Sequence, residues 1–177
     1  SNGINDGLVR GLCFYALDRH ADAVADWDAA ERIAPRETSL LDDNTRGLTH
    51  AIVGDYQTAL KYLERAVAAG DGAVAWYNRA IALARLEEDE GESRDAAHLL
   101  DALALIERSS NPLVRAYGTA GIMALLGREE DAMTGLARAQ GMDHDEVTKW
   151  ARWDPAWHDL RGDYRFEALL GSSDRPA

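Results

Sequence analysis

A chain of 177 residues is long enough to bury a sizeable core in one domain, and a composition of 46% hydrophobic and 28% charged residues excludes intrinsic disorder. Its 31 acidic side chains against 19 basic ones leave a formal net charge of -12, which repels phosphate backbones and anionic lipid; nucleic acid is therefore not expected as a partner, whereas basic or amphipathic peptides fit. A single cysteine, Cys13, excludes an intramolecular disulfide and a Cys-rich metal site, and fits a reducing compartment.

The chain opens Ser1-Asn2-Gly3 without a methionine, which reads as a scar on an excised fragment. No basic segment followed by an apolar one marks a signal peptide, and no run approaches the roughly 18 apolar residues of a membrane span. A cytoplasmic chain without membrane insertion is the expectation.

Along the chain, three segments align without gaps: residues 17–23, 53–59 and 126–132. Each ends on an alanine (Ala23, Ala59, Ala132), followed by a large apolar residue (Trp27, Leu63, Leu136) and then a small one (Ala30, Ala66, Ala139). A fourth copy fits around Ala96, Leu100 and Leu103, so the alanines recur about every 36 residues. Upstream of each lies a small residue: Gly11, Gly47, Ala80 or Ala120. A period of this length predicts a solenoid of two-helix units. Small residues in mid-helix let two backbones cross closely, and large residues one turn away fill the flanking space. Gly54 and Gly127 sit where a first helix must end and reverse, a place suited to left-handed glycine. Asp18 holds the same place in the first copy, less comfortably. Pro35 and Pro112 fall at unit boundaries. The third copy carries an acidic insertion, residues 87–92, in its turn.

The recurring spacing of small, aromatic, small and proline residues resembles the tetratricopeptide repeat. Gly11, Phe14, Ala23, Trp27, Ala30 and Pro35 match in the first copy; Gly47, Gly54, Tyr56, Ala59 and Ala66 in the second; Trp76 and Ala80 in the third. The period departs from the family's usual value of about 34 residues. The tail, with Asp154-Pro155 followed by Leu160-Arg161 and Leu169-Leu170, looks like the segment that closes bacterial arrays of this family. Trp150, Trp153, Trp157, Phe166 and Leu170 suit the covering of an open apolar end. The resemblance implies an all-α fold, a right-handed α-α superhelix of about four helix pairs plus C-terminal capping helices. It implies one domain over residues 1–177, with repeats near 4–37, 40–73, 73–112 (a loop inserted near 87–92) and 113–144, then a capping segment at 145–171.

In this family the first helix of each pair lines a concave, ligand-binding face. Carried over residue by residue, that face implies Asn5, Leu8, Leu12, Tyr15, Asn44, Leu48, Ile52, Tyr77, Ile81, Arg85, Tyr117 and Gly121 as partner-binding positions. The competing reading is that these side chains pack on one another or on the chain's own tail. A carboxylate clamp of the kind found in one subgroup is not expected: Asn44 and Asn78 are present, but the early lysines are missing, and Arg46, Arg79 and Arg85 are the nearby cations. The expected function is a protein-protein interaction module that takes a peptide or helix of a partner protein. The alternatives are a homodimer-forming scaffold and a regulatory module for a small apolar ligand.

No enzymatic role is expected. Neither a nucleophile elbow, a zinc-protease helix nor a phosphate-binding glycine loop occurs. Asp143-His144-Asp145-Glu146 reads as a helix start with its N-cap and acidic first turn rather than a metal cage, so no metal or cofactor is expected. His50 is placed in a helix-helix contact. Cys13, among Leu12, Phe14 and Tyr15, reads as a buried, inert thiol.

Overall fold

A computed structural model describes residues 2–33, 42–91 and 95–171, with the side chains of residues 2–6 and 8 outside that description. Among the described residues every regular element is helical: ten α-helices and one 3-10 helix. No helix among them is long and apolar enough to cross a membrane. The chain divides into two compact units, Ser1–Asp71 and Gly72–Ala177.

The first unit contains α1 (Asn2–Ala16), α2 (His20–Ile33), α3 (Asp43–Ile52) and α4 (Tyr56–Ala69). Helix α1 packs on α2, α3 packs on α4, and α2 also meets α3. Pro35 and the rest of 34–41 lie outside the described residues. The two hairpin turns are built alike. After α1 the Asp18 N–H donates to Tyr15 O and the Arg19 N–H to Phe14 O; after α3 the Gly54 N–H donates to Ala51 O and the Asp55 N–H to His50 O. That pair of bonds satisfies carbonyls the helix end would otherwise orphan, and it needs a left-handed residue. Gly54 supplies it with φ 85°, whereas Asp18 adopts φ 57° as the one non-glycine with positive φ among the described residues. Helices α3 and α4 start on Asp42 and Asp55, whose carboxylates accept first-turn N–H groups. In each hairpin a glycine faces a large, wholly buried side chain. A Cβ on Gly11 would lie 2.3 Å from Trp27 Nε1, and one on Gly47 2.4 Å from Leu63 Cγ. These are the close crossings expected from the small–large spacing.

The second unit contains α5 (Gly72–Asp89), α6 (Ala96–Ile106), α7 (Pro112–Leu125), α8 (Glu129–Gln140), α9 (His144–Trp153), the 3-10 helix Pro155–Leu160 and α10 (Tyr164–Leu169). Helix α5 pairs with α6 and α7 with α8; α7 also touches α5 and α6, while α9 and α10 rest on α8. The α7–α8 turn repeats the first unit's geometry, with Gly127 at φ 71° and the Arg128 N–H bonded to Met123 O. Pro112 occupies the first turn of α7, capped by Asn111. Helix α5 runs through Glu87, Glu88 and Asp89, which were expected in a loop. These residues follow a run of good helix formers with no breaker before Gly91, whose φ is 75°.

The closing segment covers the core unevenly. Trp157, Phe166 and Leu170 are buried, Trp157 stacking on Phe166 at 5.6 Å, while Trp153 stays 39% exposed. Asp143 caps α9 by accepting the Glu146 N–H, as the sequence suggests. The expectation for Cys13 is corrected, because its thiol is exposed. The α1 face turned to α2 carries Gly11, half-buried Phe14 and Tyr15, and at helical spacing Cys13 points off that face.

Candidate functional site

The residues expected to line a binding face fall in both units. In the second unit Tyr77, Ile81 and Arg85 lie one turn apart on α5, so they share a face. Tyr117 joins them from α7, which neighbours α5. All four are buried, because the 3-10 helix sits on α5 and α7 and occupies the face.

The contacts run from side chains of α5 and α7 to the side chains and main chain of the segment that covers them. Asp154 Oδ2 accepts a hydrogen bond from the Tyr77 hydroxyl and another from the Tyr117 hydroxyl, each at 2.8 Å. Asp154 Oδ1 accepts the Ala156 N–H at 2.8 Å, which caps the 3-10 helix. The Trp157 indole N–H donates to the Tyr117 hydroxyl at 3.0 Å. Arg85 Nε donates to Pro155 O at 3.0 Å and Nη2 to Ala156 O at 3.4 Å; Nη1 reaches Asp159 at 2.9 Å and Glu88 at 2.6 Å. The protein thus reads this segment's main-chain carbonyls and both of its acidic side chains.

Gly121 makes room for this arrangement. A Cβ there would lie 2.0 Å from the Tyr77 hydroxyl oxygen. Burial pushes the Asp154 carboxyl above its usual range, since the bonds from Ala156, Tyr77 and Tyr117 and the charge of Arg161 offset desolvation only in part. Burial and the neighbouring Asp154 carboxylate likewise drive both tyrosine hydroxyls well above their ordinary value. A buried carboxylate between two tyrosines suggests acid–base chemistry at first sight. Here the carboxylate accepts bonds from Tyr77, Tyr117 and the Ala156 N–H, and these bonds hold the turn against α5 and α7.

In the first unit the expected face is more open. Leu12 is 46% exposed, and Tyr15, Asn44, Leu48 and Ile52 are half-buried. Tyr15 packs edge-on against His20 and tilts over Trp27. Asn5 and Leu8 lie on α1, but their side chains are outside the described residues.

Behind this face lies a polar cluster that the sequence signals only through His50. The His50 ring is fully buried and stacks on Tyr62 at 5.5 Å. Its two nitrogens lie 3.5 Å from Asp28 and 3.4 Å from Asp55. Arg46, also buried, donates to Glu31 and to the Tyr62 hydroxyl, and the Tyr62 hydroxyl donates to Glu31. Desolvation pushes the Glu31 carboxyl up, but the bonds from Tyr62 and Arg46 outweigh it and hold that carboxyl below its usual range. The cluster ties α2 to α3 and α4.

The sequence marks Trp157 as a covering side chain and Asp154-Pro155 as part of a closing segment, but it does not mark Asp154 or Asp159 as residues of this face. Their signal was the Asp-Pro pair, an N-cap followed by a helix-starting proline. A scan of family models finds no match to the chain, and no curated protein matches it.

Proposed function

We propose that the helix hairpins are tetratricopeptide-like repeats and that the protein is a protein-protein interaction module, binding a short peptide or helix of a partner rather than catalysing a reaction. The observation that carries this is the seating of Asp154–Asp159 on the first helices α5 and α7, where Tyr77, Arg85 and Tyr117 bind a turn through its carboxylates and main chain. Equivalent first-helix positions in the first unit, Leu12, Leu48 and Ile52, keep apolar surface in reach of solvent. Apolar anchors on a rigid helical face are how grooves of this kind take amphipathic segments. The net charge of -12 favours a basic one.

Selection of peptides from a random displayed library on the full chain tests the reading. Binders are expected to be amphipathic and basic, and to lose affinity at least tenfold for Leu12→Asp and Leu48→Asp chains of unchanged helicity. Recovery of no peptide that discriminates the wild type from these variants would sink it.

A further inference from the structure

We propose that the closing segment, residues 144–171, exchanges between two copies of this chain, with Asp143 as the hinge and α8 and α9 merging into one helix in the exchanged dimer. The exchange stands apart from the peptide-binding reading, since its partner is a second copy and its seat is the covered face of α5 and α7.

The first observation is how the helices stop. Helices α1, α3, α4 and α7 each run into a left-handed residue: Asp18 at 57°, Gly54 at 85°, Gly70 at 90° and Gly127 at 71°. Helix α6 ends on right-handed Glu107, but Pro112 follows, and its ring bars Asn111 from continuing the helix. The α8–α9 joint has neither device. Gly141 is right-handed at φ -64° and ψ -18°. Its N–H bonds to Ala137 O, and the Asp143 N–H still bonds to Ala139 O at 3.1 Å. Asp143 then leaves the helix at φ -153° and ψ 97° and starts α9 as its N-cap. Rotation at that residue runs α8 into α9. The orphaned first-turn N–H groups of α9 then pair with the last carbonyls of α8, which offsets loss of the Asp143 cap.

The second observation is what the segment does when closed. Its bonds to Tyr77, Tyr117 and Arg85, and those of Arg165 to Glu130 and of Gln140 to Leu169 O, join it to the rest of the unit. Each can be remade unchanged against the segment of a second copy. Closed monomer and exchanged dimer therefore differ by the hinge and by association, the condition under which domain swapping is a low-cost route to a dimer.

Two substitutions push the hinge in opposite directions. Asp143→Ala removes the cap and favours helix at the joint. His144→Pro places proline at the first helical position, where it is tolerated, and bars Asp143 from the right-handed region. The full chain is incubated over a range of concentrations and followed by size-exclusion chromatography with light scattering. Asp143→Ala is expected to raise the dimer fraction severalfold over wild type, and His144→Pro to remain monomeric with unchanged circular dichroism. Topology is read by mixing Glu130→Cys and Arg165→Cys chains, both also Cys13→Ser, with a short bismaleimide; the exchanged dimer is expected to cross-link between chains. A monomer at every concentration in both wild type and Asp143→Ala overturns the proposal. So does a dimer that survives in His144→Pro, or one in which positions 130 and 165 fail to cross-link.

Discussion

Gly121 on α7 and Tyr77 on α5 are locked to each other: the space a Cβ would take at position 121 is filled by the tyrosine hydroxyl, 2.0 Å away. The same hydroxyl donates to Asp154. Gly121→Ala must therefore move Tyr77 off the carboxylate as well as overpack the crossing. A loss of about 3 kcal/mol is expected in urea unfolding. Tyr77→Phe removes the closest contact but leaves ring carbon at 2.9 Å, so the double variant should lose less than the two single losses added together.

The raised Asp154 carboxyl gives a pH dependence of definite sign. In the folded chain it binds its proton more tightly than the unfolded value of 3.8. Just above that pH the native state keeps a proton that the unfolded state has released. This contribution is fully present below 3.8 and is lost as pH rises through the folded value. Asp154→Asn abolishes the titration, so the variant should gain on wild type as pH rises from about 4, by up to roughly 1.4 kcal/mol per pH unit, and then level off. Asp26, Glu31 and Asp55, held low by their partners, act with the opposite sign in both proteins and cancel in the difference. A difference curve that is flat, or that falls with pH, would contradict the assignment.

Gly47 sits against Leu63, and spacing alone suggests that alanine would be accepted there. The structure corrects this: the added carbon would lie 2.4 Å from Leu63 Cγ and 3.1 Å from Ala59 O, and Leu63 has no exposed surface into which to retreat. Gly47→Ala should cost about 1–3 kcal/mol, and Gly47→Leu more. By contrast Gly54 has open space around it, and Gly54→Ala should cost about 1–2 kcal/mol through its positive φ alone. Thermal unfolding of the three variants separates crowding from backbone strain.

Asp18 carries the strain its neighbours avoid with glycine. Asp18→Gly relieves a left-handed L-residue at the expense of unfolded-state entropy, for a net gain of up to about 1 kcal/mol. A Tm that falls in this variant would show that the aspartate contributes something the turn geometry does not reveal.

What could be read in the sequence was local. Gly54, Gly127 and Asp18 announce the reversals because each of these three turns places a left-handed residue within a turn of the last helical one. Tyr77, Ile81 and Arg85 announced a shared face because helical spacing fixes it. Whether that face stays open to a partner or is covered by the chain's own tail is not legible. Asp154 lies far along the chain, and an aspartate is rarely buried unless paired; the proline after it marks a helix start but not the tyrosines that bury it. Cys13 is exposed for a related reason. Its apolar neighbours suggested burial, but the side of α1 that faces α2 is chosen by the fit of Gly11 to Trp27.

The span of the Asp154 bonds has a kinetic consequence. Each hairpin closes between helices adjacent in sequence, whereas the bonds from Asp154 to Tyr117 and Tyr77 bridge 37 and 77 residues. Contacts this distant must await loop closure that the local ones do not need. Refolding should accordingly proceed in two stages, with helical circular dichroism returning first and the environment of Trp157 last. Under mild denaturant the closing turn should also be the first part of the second unit to detach.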